Sequence, residues 1–504
     1  MPAGVIGTHT VGDKLNIILL DNITSNTTIN ITKDCTLHLN GKTIAFTAAG
    51  AFLNITTTGT VTINGEVPGS EITKNVSNGT NEKLIGATDT FLNIIGGQYS
   101  MYGTYTTAAV AIRTETATGS ITMSEAKVLV DVSSNNAALC TQIRGSGLLS
   151  DCVFSANNKV NRSQAINFNV KAADLANTDL FAKAINCTVE ALGNGVLSTK
   201  DTVGVYSNIP MYIENCNVYA RNPAQTALVV GAYAVTKMSI VNCNIKADGF
   251  GDTTTEAMYA VCAVVFNNSV DNEIIGGYYY GTREALVARA SCRINGGVFE
   301  GCQHGGAYIS STDVKIKNAT FRNIPYTGDC GWNDPHYGVI YCGSSSGDVA
   351  AYFDNCQFDS TIRASYGITA KYSNTKVYLS NSVINGNFEN DLRADTGNTI
   401  YIGKNVVYDT VFVNGGTIDT TTYADQEFGF ETTPTNCENL VEVKTGLLQN
   451  KLEQTILHTP QNLTEEQKAQ ARSNIDASGI YIGEGDMPEG YSIQIIPDEE
   501  PVNL

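Results

Sequence analysis

Ile213-Glu214-Asn215-Cys216-Asn217-Val218 returns 27 residues later as Ile240-Val241-Asn242-Cys243-Asn244-Ile245, and again as Phe353-Asp354-Asn355-Cys356-Gln357-Phe358. The shared phrase is apolar, any, Asn or Gly, small, any, apolar. Nine further stretches fit it, starting at Ile94, Met123, Leu149, Ala184, Ile274, Ile294, Ile316, Leu379 and Val413. The twelve third positions recur on average every 29 residues. A period of that size points to a solenoid or a propeller.

Each column has a physical meaning. The fourth holds only Gly, Ala, Cys or Ser, and the sixth only β-branched or aromatic residues, which suit a buried pleated surface. Two positions apart on a strand, these columns face the same way. The third column is Asn or Gly in all copies but Glu125 and Asp151. Asn and Gly tolerate the left-handed backbone region, so this column marks a sharp bend between two strands. Strand, bend, strand and a variable loop, stacked on itself, predict a right-handed parallel β-helix of about fourteen coils. The spacing ranges from 20 to 37 residues while the phrase holds, as expected when insertions enter loops and spare the core. A propeller would need two-residue hairpin signals between copies, and these are few.

The 504-residue chain carries a formal charge of −18, and charged residues make up only 16% of it. Phosphate backbones call for a basic stripe, and none is visible, so nucleic acid is not an expected partner. No basic-then-apolar leader or long apolar run predicts secretion or membrane insertion. Five of the thirteen cysteines, Cys152, Cys187, Cys216, Cys243 and Cys356, share the small column. They are expected to be buried and unbonded, in a chain made in a reducing cytoplasm. No Cys/His cluster has zinc spacing, so neither a metal nor a cofactor is expected.

Residues 1–30 are expected to cap the open end of the stack. Cys35 to Ile44 and Val61 to Gly65 look like first coils, and the β-helix is expected over residues 31–430. Residues 431–462 form a transition and helical linker. Residues 463–504 hold a helix, with Thr464 and Gln467 as a capping box, and a small assembly tail.

Two stretches resemble known families. The line Leu37-His38-Leu39-Asn40-Gly41-Lys42-Thr43-Ile44 resembles the opening of pectate-lyase-like β-helix proteins. The segment from Leu463 to Ala477, with Asp476 where Gly is usual, resembles one that recurs in bacteriophage tail-fibre, head-fibre and related virion appendage proteins. Gly483 to Tyr491 also resembles the ends of phage structural proteins. The resemblance implies a fibre or spike of the virion, made in the host bacterium. Such a protein is usually a homotrimer, contacting other virion proteins and a bacterial surface glycan or receptor without catalysis. The alternative is a tailspike-like glycan depolymerase, a glycoside hydrolase or polysaccharide lyase.

The polygalacturonase set is incomplete here. Asn177-Thr178-Asp179 is present, but Asp-Asp is absent and Gln303-His304-Gly305 departs from the histidine motif. Glu214 and Glu273, two coils apart, would face each other if in register. A cleft is expected where the bends at 276, 296 and 318 follow each other closely, between longer coils. Its floor would carry Tyr278, Tyr280, Arg283, His304 and the candidate catalytic carboxylates Glu284 and Glu300. Its wall would carry Tyr326, Asp329, Trp332, Asp334, His336 and Tyr337. Aromatic faces beside carboxylates suit sugar rings, and long loops are where binding concentrates.

Overall fold

The computed structural model describes residues 6–421, apart from 12–13, 81, 177–178, 195–201, 224–227, 250–260, 268–270, 303–305, 325–337, 346 and 373; beyond these it describes 480–482 and 493–495. The chain divides into two compact units, Met1–Thr445 and Gly446–Leu504.

The first unit is a right-handed parallel β-helix of about fifteen rungs, against the fourteen or so expected. Three long sheets, of 17, 15 and 14 strands, run along it. Each coil visits them in one order, here called A, B and C. Met211–Glu214 is an A strand, Asn217–Asn222 follows in B, and Val229–Ala234 in C. Each pairs in parallel with its counterpart one coil on, as in Ile213↔Ile240, Val218↔Ile245 and Val230↔Cys262. The stack begins at Lys14, inside the segment expected as a cap: Lys14–Leu19 pairs in parallel with Cys35–His38, and Ile23–Ser25 with Thr43–Phe46. Ahead of it, Ile6–Val11 pairs antiparallel with Lys14–Leu19 and covers that edge of sheet A.

All twelve third-column residues have positive φ, between 47° and 80°. Eleven form the corner between an A and a B strand. The twelfth does not. Gly415 lies between the C strand Val411–Asn414 and the A strand Thr417–Asp419. The A-to-B bend of that coil is Asn405 (φ 54°), which the phrase misses because one extra residue precedes it. The bend residues also bond to one another along the stack. Asn355 Nδ2 donates to Asn318 Oδ1 (2.7 Å), and Asn405 Nδ2 to Asn381 Oδ1 (3.0 Å). Asn is therefore suited to this column by its amide as well as by its backbone freedom.

The small column proves more specific than size alone. The five cysteines are buried and unbonded. The Cys187 N–H donates to Cys216 Sγ (3.3 Å) and the Cys216 N–H to Cys243 Sγ (3.4 Å). Ser382 Oγ takes the Cys356 N–H in the same way (3.1 Å). A small side chain carrying a lone pair thus satisfies an amide that the corner leaves buried. The sixth column builds an aromatic file through the core: Tyr279, Phe299, Phe321 and Phe358 stack at 4.8, 4.9 and 5.7 Å.

In the second unit, Ile480–Ile482 pairs in parallel with Ile493–Ile495. The helix expected over 463–477 lies outside the described residues. No helix among the described residues is long and apolar enough to cross a membrane.

Candidate functional site

The connections between sheets B and C vary most in length. Two residues separate Tyr278–Gly281 from Glu284–Ala288, but sixteen separate Thr320–Asn323 from Ile340–Cys342. The short coils are therefore where the sequence places them. Of the expected floor, His304 lies outside the described residues, as do the wall residues Tyr326, Asp329, Trp332, Asp334, His336 and Tyr337. So do Asn177 and Thr178.

The structure brings part of the floor together. Tyr280, Glu300 and Arg322 share one outward row of sheet B. Tyr278 Oη donates to Glu300 Oε2 (2.6 Å), and Arg322 Nη1 donates to Glu300 Oε1 (3.3 Å). Both oxygens of Glu300 are thus engaged. Lys246 Nζ lies 5.2 Å from the Tyr278 ring centre, and Tyr280 Oη is 3.6 Å from Cys302 Sγ. Burial pushes the Tyr280 hydroxyl well above its ordinary pKa. Glu284 stands on sheet C, wholly buried, 3.2 Å from Arg283 Nε, and accepts the Cys262 thiol at 3.4 Å. Glu284 and Glu300 thus lie on different sheets, each held by its own partners. Glu214 and Glu273 are two residues out of register: Glu273 aligns through Ser239 with Tyr212. Tyr212 Oη donates to Glu214 (3.1 Å).

Two grooves lie elsewhere. One, of about 410 Å³ on sheet A, is lined by Tyr352, Tyr378, Asp348, Asn374 and Lys376. Tyr352, Tyr378 and Tyr401 stack face to face at 4.5 and 4.6 Å. Their rings cover one another and leave mainly edges to solvent. This file is a cross-strand ladder that stiffens the sheet, with little aromatic face left for a sugar.

The other groove, of about 430 Å³, lies on the outer face of sheet C. Its floor is built by register. Arg113 pairs with Gln142, and Asn167 with Tyr206, giving one polar outward residue per rung across four coils. A parallel row of Val110, Leu139 and Gln164 runs beside it. Arg162 and Arg144 flank the floor. Arg162 Nη2 donates to Asn136 Oδ1 (3.2 Å), and Asn167 Nδ2 donates to Gln164 Oε1. Arg113 Nε lies 3.0 Å from Glu115 Oε2, and Glu115 also pairs with Lys83. Burial lowers the Arg113 guanidinium from its ordinary pKa; Glu115 opposes this, and the Arg144 charge adds to it.

Among the described residues, three buried atoms of this groove have neither a hydrogen-bond nor an ion-pair partner: the Nε of Arg144 and Arg162, and Oδ1 of Asn167, a residue only 3% exposed. Buried polar atoms are normally satisfied, and an unsatisfied one costs about 1–3 kcal/mol. They mark a groove whose polar groups are incompletely paired, and the half-exposed ends of Arg113, Arg144 and Arg162 are what it offers to whatever enters. Reasoning from the sequence missed this site. The arginines lie 31 and 18 residues apart, on or just beyond C strands whose register the A-to-B phrase does not fix.

No protein-family model, no curated protein and no solved structure matches this chain.

Proposed function

We propose that this protein is a virion appendage, a fibre or spike, that attaches to a bacterial surface glycan without cleaving it. The sheet-C groove carries the attachment reading. It is long and open, with amides, a tyrosine and guanidinium groups beside a narrow apolar strip, the mixture that binds hydroxyl-rich chains. The strands hold these groups in place before a ligand arrives, which lowers the ordering cost of binding. The non-enzymatic reading is supported by the engagement of Glu284 and Glu300 in separate ion pairs. Glycosidases need two carboxyl groups facing one scissile bond across about 5–10 Å. The virion context rests on the likeness of the segment from Leu463 to Ala477 to phage appendage proteins, and assembly as a homotrimer belongs to the same proposal.

The test is adsorption of purified protein to host cells, with the reducing ends released from their surface polysaccharide measured in parallel. Wild type is expected to bind and to release none, and Gln164→Ala is expected to bind weakly while staying folded, losing about 1–3 kcal/mol for the Asn167 amide it leaves unpaired. Release of reducing ends that a Glu284→Gln/Glu300→Gln double variant abolishes would replace this proposal with a depolymerase. Unchanged adsorption of Gln164→Ala would move the contact surface away from the groove. Light scattering that finds a monomer would remove the trimer.

A further inference from the structure

Resting on the glycan-binding reading, we propose that the sheet-C groove takes an acidic oligosaccharide, with Arg144 and its neighbours Arg113 and Arg162 receiving its carboxylates. The chain is strongly acidic, with 31 Lys and Arg against 49 Asp and Glu. Three arginines from neighbouring coils around one groove are therefore out of keeping with its surface. Surface arginines in such a chain would ordinarily be paired. Arg113 has Glu115 on one side, and Arg162 has the Asn136 amide and no carboxylate among the described residues. Arg144 has no ion-pair or side-chain hydrogen-bond partner among the described residues. The Nε of Arg144 and of Arg162 is buried without an acceptor, so what these two offer a ligand is their terminal Nη donors. Guanidinium groups recognise planar oxyanions through paired N–H donors, so Arg144 is an unfilled site for a carboxylate-like group, with Arg113 and Arg162 beside it.

The carboxylate within the groove does not cancel this charge. Glu82 lines it but is fully buried and pairs with Lys74, which is equally buried. Its oxygens also accept the backbone N–H groups of Thr80 (3.0 Å) and Gly50 (2.6 Å). Glu82 is thereby committed to the fold. The remaining lining explains why the anion is carried on a sugar. Gln142 and Tyr206, half-exposed on the same row, suit sugar hydroxyls. Val110, Leu139 and Ala137 form a buried apolar cluster, a surface for the C–H face of a pyranose ring. The rungs advance by about 4.8 Å, so the four-coil floor spans about 14 Å and holds a short oligomer. A nucleic acid strand would bring a long run of phosphates against a chain of net charge −18, whereas a short acidic oligomer needs only the local field of the groove.

The experiment measures binding of tetragalacturonate and of its fully methyl-esterified form to the whole protein by titration calorimetry at low salt, with inorganic sulfate as a third probe. Wild type is expected to bind the acid about tenfold more tightly than the ester, the scale of one charge-assisted contact. The acid should weaken as salt rises. Arg144→Gln is expected to abolish the preference, and Arg144→Lys to keep part of it. Since Arg144 supports no other side chain, both variants should melt with wild type. Equal binding of acid and ester, with Gln164→Ala weakening both, would leave the glycan reading standing and overturn the acidic one. A preference that survives in Arg144→Gln would also overturn it. Sulfate binding as tight as the acid would reduce the site to a small-anion site and overturn the oligosaccharide. Binding of neither sugar would overturn the acidic assignment, and the adsorption of Gln164→Ala to cells then decides the glycan reading separately.

Discussion

Glu190 makes the stack sensitive to pH, and the size of the effect follows from its surroundings. It lies on the B strand Thr188–Gly193, in register between Ser155 and Tyr219. It is only 4% exposed. Oε2 accepts from Ser155 Oγ (2.8 Å), while Oε1 is buried without a partner. Burial pushes the carboxyl up to about 7, with the Ser155 bond opposing, from an ordinary 4.5. For an acid raised in the folded state the sign is as follows. Below pH 4.5 both states hold the proton and nothing is lost. Between 4.5 and 7 the unfolded chain ionises while the folded chain keeps its proton, so stability falls as pH rises. Above 7 the loss levels off at roughly 3 kcal/mol. Glu190→Gln should match wild type at pH 4 and exceed it by about 1–3 kcal/mol at pH 8, the lower end allowing for an unpaired amide. Coils of a solenoid can open separately, so the assay is amide hydrogen exchange across residues 188–193 at several pH values, beside urea melts. Wild-type and variant curves that stay parallel from pH 4 to 8 would refute the reasoning.

The thiol column gives an ordered series. Cys216→Ser should be nearly neutral, Cys216→Ala should cost about 1 kcal/mol for the amide left unpaired, and Cys216→Leu about 1–3 kcal/mol through overpacking; urea melts would rank them, and equal Ser and Ala values would reduce the column to size alone. Gly277 has φ +96°, and a Cβ there would meet Cys243 O at 2.5 Å. Gly277→Ala should therefore cost at least about 1–3 kcal/mol, whereas Asn242→Gly, at a bend that only needs the left-handed region, should change the melting temperature little. Residues 1–445 alone should keep a β-rich circular dichroism spectrum, since each coil contacts mainly its neighbours; a coil spectrum would show that the second unit is needed for folding.

What the sequence made legible was the part of the fold that repeats by physical necessity. The A-to-B corner needs a left-handed residue, then a small one, then a large apolar one, so Asn215-Cys216-Asn217-Val218 could be recognised wherever it recurred. The corner at Asn405 escaped because one added residue shifts the columns, and Gly415 was drawn in because a C-to-A corner also needs positive φ. The cysteines were read as small hydrophobes, and their lone pairs are invisible without knowing which amide lies above them. The site was less legible because outward positions carry no packing constraint. Even so, Tyr352, Tyr378 and Tyr401 each directly precede the first apolar residue of an A-to-B corner, so reading one column further left would have found that ladder. Arg113, Gln142, Asn167 and Tyr206 have no such anchor. Their alignment depends on the C-strand register, and every B-to-C connection of different length resets it.

This separation of core from surface has a consequence for how the protein recognises anything. In a parallel stack the neighbours of an outward residue are the residues one coil away, about 29 positions off in sequence. A binding row is therefore assembled one residue per coil, and no short motif records it. Each row can differ in chemistry from the next while the inner columns stay the same. The outer face of sheet C shows this within one groove. Its row runs from Arg113 through Gln142 and Asn167 to Tyr206, and the charge falls away along the stack. Beyond Tyr206 the same row continues as Tyr233, Val265 and Val287, which are packed together as an apolar cluster. The groove therefore ends where the row turns apolar, and its polarity runs along the axis of the rod. On the proposed reading, a chain molecule bound there would lie along the stack, with its anionic groups toward the arginines and its less polar portion toward Tyr206.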